Sequence, residues 1–316
     1  MKKFKILSID GGGIKGAFPA SFLASLESMT ERPISQYFDL IAGTSTGGII
    51  ALGLGMGLTA KDLTNFYRED GPAIFPRRNA MNRFRWLPKA SKWDTTPLKS
   101  ALEKRLGDRK LGDSGNRLVV PSFNATTGRI HIYKTAHHGR LRTDYKESAV
   151  SVALATSAAP VFFQAHRCNN DITVIDGGIW ANNPMGIAVV EAISMLGVTP
   201  TDIRLLSISC THTASDLIPG RGPGAWFWTF RAMNAAMRGQ SFGALGIAQH
   251  LIGHENVKRI DPEVPPGKYC LDNAETVGDL CGIGASEARH HSPMLMQEFF
   301  DEPAPEFTPC YSTRVS

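Results

Sequence analysis

Nowhere in the 316 residues do 18 apolar positions run together, so no segment is long enough to cross a bilayer as a helix. The start, Met1 to Lys5, is cationic like the first part of a signal peptide. The apolar run behind it, Ile6 to Ile9, stops at Asp10 and is too short to complete one. A cytoplasmic location is expected, with any membrane contact peripheral. Cysteine is sparse: Cys168, Cys210, Cys270, Cys281 and Cys310 are odd in number, far apart and without a Cys-x-x-Cys pair. That excludes a disulfide framework and a structural zinc site and fits reduced thiols. There is no internal repeat and no low-complexity linker, so one domain over 1–316 is expected. Strong charge of one sign is lacking too. The 34 basic and 29 acidic residues leave a net +5, too mild to indicate DNA or RNA as a partner, although it suits contact with anionic surfaces. What remains, 42% hydrophobic and 20% charged, is the composition of a globular protein.

Through about residue 210 short apolar runs alternate with segments of helical period. Phe4 to Ile9, Phe38 to Ala42, Arg117 to Ala125, Arg129 to Thr135, Ile172 to Ile175 and Ile203 to Ser209 read as strands. Helices are expected over Gly16 to Met29, Ile49 to Leu58, Thr59 to Arg68, Pro97 to Leu106, Glu147 to Ala158 and Pro184 to Leu196. Alternation of this kind predicts an α/β fold on a mostly parallel sheet. The last third, from about 211, reads as a helical C-terminal portion, with a long nearly acid-free helix over Gly224 to Gly253.

Three of the strands end in small residues beside a polar one: Asp10-Gly11-Gly12-Gly13-Ile14-Lys15-Gly16, Gly43-Thr44-Ser45-Thr46-Gly47 and Asp176-Gly177-Gly178. Ligands gather beyond the carboxyl ends of strands in open α/β sheets, so the three are expected to face one crevice. The second is a Gly-x-Ser-x-Gly turn. A serine at such an elbow needs small residues two before and two after it, because side chains there would collide. The helix behind it directs its N-terminal dipole at the hydroxyl.

The glycine loop allows three readings. Gly11-x-Gly13-x-x-Gly16 fits the dinucleotide fingerprint, but the second strand runs into the serine turn instead of ending in an acid. A phosphate-binding P-loop fails because Ala17 follows Gly16. An oxyanion hole, in which the N–H groups of Gly11, Gly12 and Gly13 approach a tetrahedral intermediate, suits a partner serine at Ser45. A histidine base in the order Ser-Asp-His is available from His212, His250, His254, His290 or His291, yet the fold that uses that order places several strands before its serine and here only two precede Ser45. Asp176 as base uses what the strand ends supply, with Gly177 and Gly178 leaving room for substrate. Taken singly, an Asp-Gly-Gly is a plain turn.

Together and in this order the three motifs resemble the patatin-like phospholipase family. Ser157-Ala-Ala-Pro-Val-Phe-Phe163 and Asn182-Asn183-Pro184 look like that family's flanking segments, and the resemblance covers about residues 4 to 210. It implies a three-layer α/β/α fold and lipid acyl hydrolysis by a Ser45–Asp176 dyad, with Gly11 to Gly13 as oxyanion hole and Gly16, Gly43, Gly47, Gly177 and Gly178 as motif glycines. It implies no metal and no cofactor. The short form of the chain also resembles bacterial members that degrade membrane phospholipids when a cyclic nucleotide activates them in antiphage defence. A non-catalytic lipid-binding or storage protein on the same fold is the alternative, and retention of all three motifs weighs against it.

Two segments are candidates for lipid or activator contact. Trp226, Phe227, Trp228 and Phe230, near Arg221, Arg231 and Arg238, have the make-up of an interfacial helix or of a core-closing one. The stretch from Arg77 to Lys92 carries Arg77, Arg78, Arg83, Arg85, Lys89 and Lys92 with no acid between them, and Trp86 and Trp93 beside them. It reads either as a mobile cover with cations for phosphates of a lipid or cyclic dinucleotide, or as a solvated loop.

Overall fold

A computed structural model describes residues 2–77, 91–168, 171–213 and 225–312, except the side chains of 225–234. Along the chain run β1 (Phe4–Ile9), α1 (Ala17–Glu27), β2 (Leu40–Gly43), α2 (Thr46–Gly55), α3 (Ala60–Asn65), α4 (Gly71–Ile74), α5 (Thr96–Leu106), β3 (Arg117–Asn124) and β4 (Arg129–Lys134). Then follow α6 (Ala149–Ser157), β5 (His166–Arg167), β6 (Thr173–Asp176), α7 (Gly178–Ala181), α8 (Met185–Ser194), β7 (Ile203–Ile208) and β8 (His212–Thr213). The chain continues through α9 (Ala225–Ile252), β9 (Val257–Ile260), β10 (Glu263–Val264) and α10 (Val277–Phe299).

The main sheet has the order β5-β6-β3-β2-β1-β7-β9, with β4 paired to β3. From β3 to β9 neighbouring strands are parallel, while β4, β5 and β6 add antiparallel pairs at one side. The alternation of side chains along each strand sorts the core into two layers. Leu7, Ile9, Ile41, Leu206 and Ile208 pack toward α1, α2, α3, α5, α6 and α10. Ile6, Leu40, Ala42, Ile203 and Leu205 pack toward α8 and α9. The result is the expected α/β/α sandwich.

Three departures from the sequence reading matter. The C-terminal third is not only helical, because β9 leaves it to become an edge strand beside β7. Its last helix, α10, lies on α1 so closely that Gly284 has no room for a Cβ against the Phe18 carbonyl and the Phe22 N–H. The helix expected from Thr59 begins with a capping box between Thr59 and Asp62. It then widens into a π-type turn at Phe66–Asp70 and resumes as α4. That turn carries buried Tyr67 inward, where its hydroxyl lies 2.5 Å from Thr46 Oγ1 at the start of α2.

Register explains how distant segments meet. Ile9 pairs with Gly43 and with Ile208, which aligns the carboxyl ends of β1, β2 and β7. On β3, Val119 pairs with Ala42, and the strand continues past that point. Antiparallel β6 returns along this extension until Asp176 sits opposite Ser122. Asp176 therefore comes level with Ser45, three positions beyond Ala42.

Candidate active site

Ser45 is the junction between β2 and α2, with φ 56° and ψ −122°. A non-glycine residue there is strained, and the surrounding contacts must hold it. A Cβ on Gly43 would run into the Gly47 carbonyl, and one on Gly47 into the carbonyls of Ile9 and Asp10. The two motif glycines thus meet the elbow's steric demand. The Ser45 N–H donates to Thr156 Oγ1 at 3.0 Å, and that hydroxyl donates to the Pro121 carbonyl at 2.6 Å. Beside it, Thr44 Oγ1 donates to the Ala181 carbonyl at 2.6 Å. As N-cap of α2, Ser45 makes no side-chain capping bond, so its hydroxyl is not drawn into the helix.

It stands near enough to Asp176 to help hold that carboxyl in its ionised form. The Asp176 carboxyl is 4% exposed. Its backbone N–H donates to the Ala158 carbonyl at 3.0 Å, and its Oδ1 accepts the Gly178 N–H at 2.7 Å. Burial pushes its pKa up to about 6, opposed by Ser45 and by the bond from Gly178. Packing around the carboxyl requires the adjacent glycines. A Cβ on Gly177 would strike the Pro121 carbonyl, and one on Gly178 would lie 3.1 Å from Asp176 Oδ1 and 3.3 Å from Asn182 Oδ1. They let the chain pack around the carboxylate.

The glycine loop faces the same place but not with all three N–H groups. Gly11 donates to the Asn182 carbonyl at 2.9 Å, so it is already committed. Among the described residues the N–H groups of Gly12 and Gly13 have no partner. Gly13, at φ +57°, takes a conformation that disfavours a side chain, and a Cβ there would meet the Leu271 carbonyl. Gly16 lets the loop close onto Thr46 and Tyr67. Lys15 donates to the Thr211 carbonyl at 3.2 Å, and burial holds its pKa below the ordinary lysine range.

Sequence reasoning missed two supports. Arg259 on β9 takes Asp10 in a bidentate pair at 2.8 and 2.6 Å and also donates to Ser207 Oγ at 2.7 Å. Burial alone would weaken the guanidinium's hold on its proton, but Asp10's charge and hydrogen bonds outweigh it and raise the pKa. Thr156 lies within an Ala- and Ser-rich helix that gave no sign of contact with Ser45. Among the described residues no histidine bonds to Ser45 or Asp176; His212 pairs with Asp261 at 3.1 Å and buried His137 with Glu191 at 2.9 Å. Asn183 caps the approach to α8 through the Met185 N–H and ties α9 through Gln240.

Of the basic stretch, Arg77 is paired with Glu275, whereas Arg78, Arg83, Arg85 and Trp86 lie outside the described residues. Trp93 Nε1 donates to Asp272 at 3.0 Å, and its ring packs edge-on to Phe75. The Trp226 to Phe230 side chains also lie outside the described set. Among the described residues no helix is long and apolar enough to cross a membrane.

A three-layer sheet that presents a serine on a strand-to-helix elbow, facing a glycine loop, is the architecture of the patatin class of α/β proteins. The chain belongs to the patatin-like phospholipase family, whose sequence profile matches residues 7–189. It is 37% identical over 229 residues to a cGAMP-activated phospholipase of Pseudomonas aeruginosa, covering 71% of this chain and 68% of that one. It is 30% identical to a cGAMP-activated phospholipase of Vibrio cholerae, covering 96% of both chains. Among solved structures, VipD from Legionella pneumophila aligns with a TM-score of 0.43 at 13% identity, covering 95% of this chain and 77% of that chain.

Proposed function

We propose that the protein hydrolyses fatty acyl esters of membrane phospholipids with Ser45 as nucleophile and Asp176 as base. One observation carries this reading: a serine on a strained elbow stands beside a carboxyl that burial has made more basic, with a pKa of about 6. Above that pH the carboxylate takes the Ser45 proton as Oγ attacks the ester carbonyl. The C–O bond to the glycerol breaks, the same proton goes to the leaving alkoxide, and the acyl group stays on Oγ. A water molecule, deprotonated by Asp176, then attacks the acyl-enzyme carbonyl; the bond to Ser45 Oγ breaks, the proton passes from Asp176 to Oγ, and the fatty acid leaves. The negative oxygen formed in each step is met by the N–H groups of Gly12 and Gly13 and by the N-terminal end of α2.

The names of the relatives support a second element of the proposal, activation by a cyclic dinucleotide in antiphage defence. The enzyme would then act on the bilayer from the cytoplasm by peripheral contact. Hydrolysis of phosphatidylglycerol and phosphatidylethanolamine vesicles, with and without a panel of cyclic dinucleotides, tests both elements. Fatty acid release that rises with one cyclic dinucleotide supports the whole reading. Equal release throughout removes the switch, and no release from any lipid or lysolipid favours the storage reading.

A further inference from the structure

A cavity of about 250 Å³ opens between the start of α5, the end of α6 and β5. One wall is Leu154 and Ser157, on the same face of α6 at the spacing i, i+3, with Ala158 just beyond the helix end. The same helix end holds the reacting pair, because Thr156 Oγ1 accepts the Ser45 N–H and the Ala158 carbonyl accepts the Asp176 N–H. Whatever fills the cavity therefore presses on the element that grips both residues.

The chemistry of the wall indicates what it takes. Leu98, Leu154, Ala158 and Phe163 make an apolar floor, and Lys99 and Arg167 stand at the rim. The acids that pair with these cations, Glu103 at 3.7 Å and Asp171 at 2.9 Å, do so in exposed i,i+4 pairs. Such pairs are weak and readily exchanged for a better anion. His166, also at the rim, is bonded to Ser151 Oγ, and burial together with the charge of Lys99 lowers its pKa, which leaves the two longer side chains as the cations. Two exchangeable cations over an apolar floor fit an anion with an apolar or aromatic attachment.

We propose that this cavity binds a phosphodiester, with Lys99 and Arg167 on its charged oxygens and the attached group on the floor. The inference rests on the reading of Ser45 and Asp176 as the reacting pair, since α6 is what joins the cavity to them. The volume is just below the roughly 300–1,000 Å³ of pockets that enclose a whole drug-sized ligand, so the cavity takes the phosphodiester and one neighbouring group. Two sources offer that chemistry, a cyclic dinucleotide and a phospholipid head group.

The test uses the full chain carrying Ser45→Ala, so that nothing is hydrolysed, in calorimetric titrations with two probes. These are cyclic GMP–AMP and dihexanoyl-phosphatidylglycerol below its micellar concentration. The parent chain binds at least one of them, and the pair Lys99→Gln and Arg167→Gln weakens that binding by about 100-fold, tenfold for each cation. Binding of the nucleotide alone identifies an activator site, and binding of the lipid alone a head-group subsite. Failure of both probes to bind, or equal affinity in parent and double variant, overturns the proposal. An acyl-chain pocket would give that last result. In the chain with Ser45 intact, the double variant keeps the parent rate on a soluble p-nitrophenyl ester; loss of that rate makes the two residues structural and also overturns it. Undiminished esterase activity in the Ser45→Ala chain instead sinks the reacting-pair reading, and the titrations report on the cavity regardless.

Discussion

Asp10 and Arg259, 249 residues apart, form a bidentate ion pair at 2.8 and 2.6 Å that ties the first strand's end to the edge strand of the parallel sheet. Both side chains are largely buried, Asp10 being 3% exposed. The pair also fixes where the glycine loop begins, because Asp10 immediately precedes Gly11. Removing one partner of a buried pair leaves an uncompensated charge, at a cost of about 3–5 kcal/mol. Arg259→Ala is expected to lower the unfolding free energy measured in urea by that amount and to abolish ester hydrolysis. Arg259→Lys, which keeps the charge without the fork, should fall between it and wild type. An unchanged midpoint in Arg259→Ala would show that the pair contributes nothing to stability.

On the proposed mechanism the raised pKa of Asp176 sets the pH profile. Below about pH 6 the carboxyl is protonated and accepts no proton from Ser45, so kcat/KM on a soluble ester should fall tenfold per pH unit there and level off above it. A plateau that continues unbroken to pH 4.5 would contradict the base assignment.

The same shift predicts a gain in stability when the carboxyl is removed. Burial raises the folded pKa of Asp176 from 3.8 to about 6, so this group's favourable contribution is fully present below pH 3.8 and is lost as the pH rises through about 6. At pH 7 the ionised carboxyl lowers stability by roughly 3 kcal/mol. Asp176→Asn should therefore be more stable than wild type at pH 7 by up to that amount, with the gain vanishing near pH 4. Urea denaturation at the two pH values measures it, and a variant less stable at pH 7 would refute the argument.

Thr156→Val keeps the shape of the side chain but removes the acceptor for the Ser45 N–H and the donor to Pro121. Leaving a buried N–H unmet costs about 1–3 kcal/mol, and at a strained elbow that cost falls on the geometry of Ser45. We expect kcat on a soluble ester to drop by about 10–100-fold with KM little changed and the circular dichroism spectrum intact. Wild-type kcat would show that the elbow holds Ser45 without Thr156.

The strand ends and the elbow were legible because local pattern determines them: an apolar run, then glycines where a Cβ cannot fit. The arrival of Asp176 was legible only in part. A strand ending in Asp-Gly-Gly was readable, but β6 is antiparallel, and it meets Ser45 by returning along the extension of β3, a pairing that no local signal carries. Arg259 was hidden for the same reason, since it comes from a strand in the portion read as helical. Thr156 was hidden in a helix whose Ala and Ser content signals burial and says nothing of which hydroxyl turns toward the site. The π-type turn that points Tyr67 at Thr46 follows a well-capped helix with ordinary periodicity, so tertiary packing and not propensity set it.

The most direct test of the reacting pair is covalent labelling with a fluorophosphonate followed by peptide mass spectrometry. Wild type should carry one adduct, on Ser45; Ser45→Ala should carry none; and Asp176→Ala, folded by circular dichroism, should label at least about 100-fold more slowly and release no fatty acid. An adduct on another residue, or wild-type labelling and turnover in folded Asp176→Ala, would contradict the account.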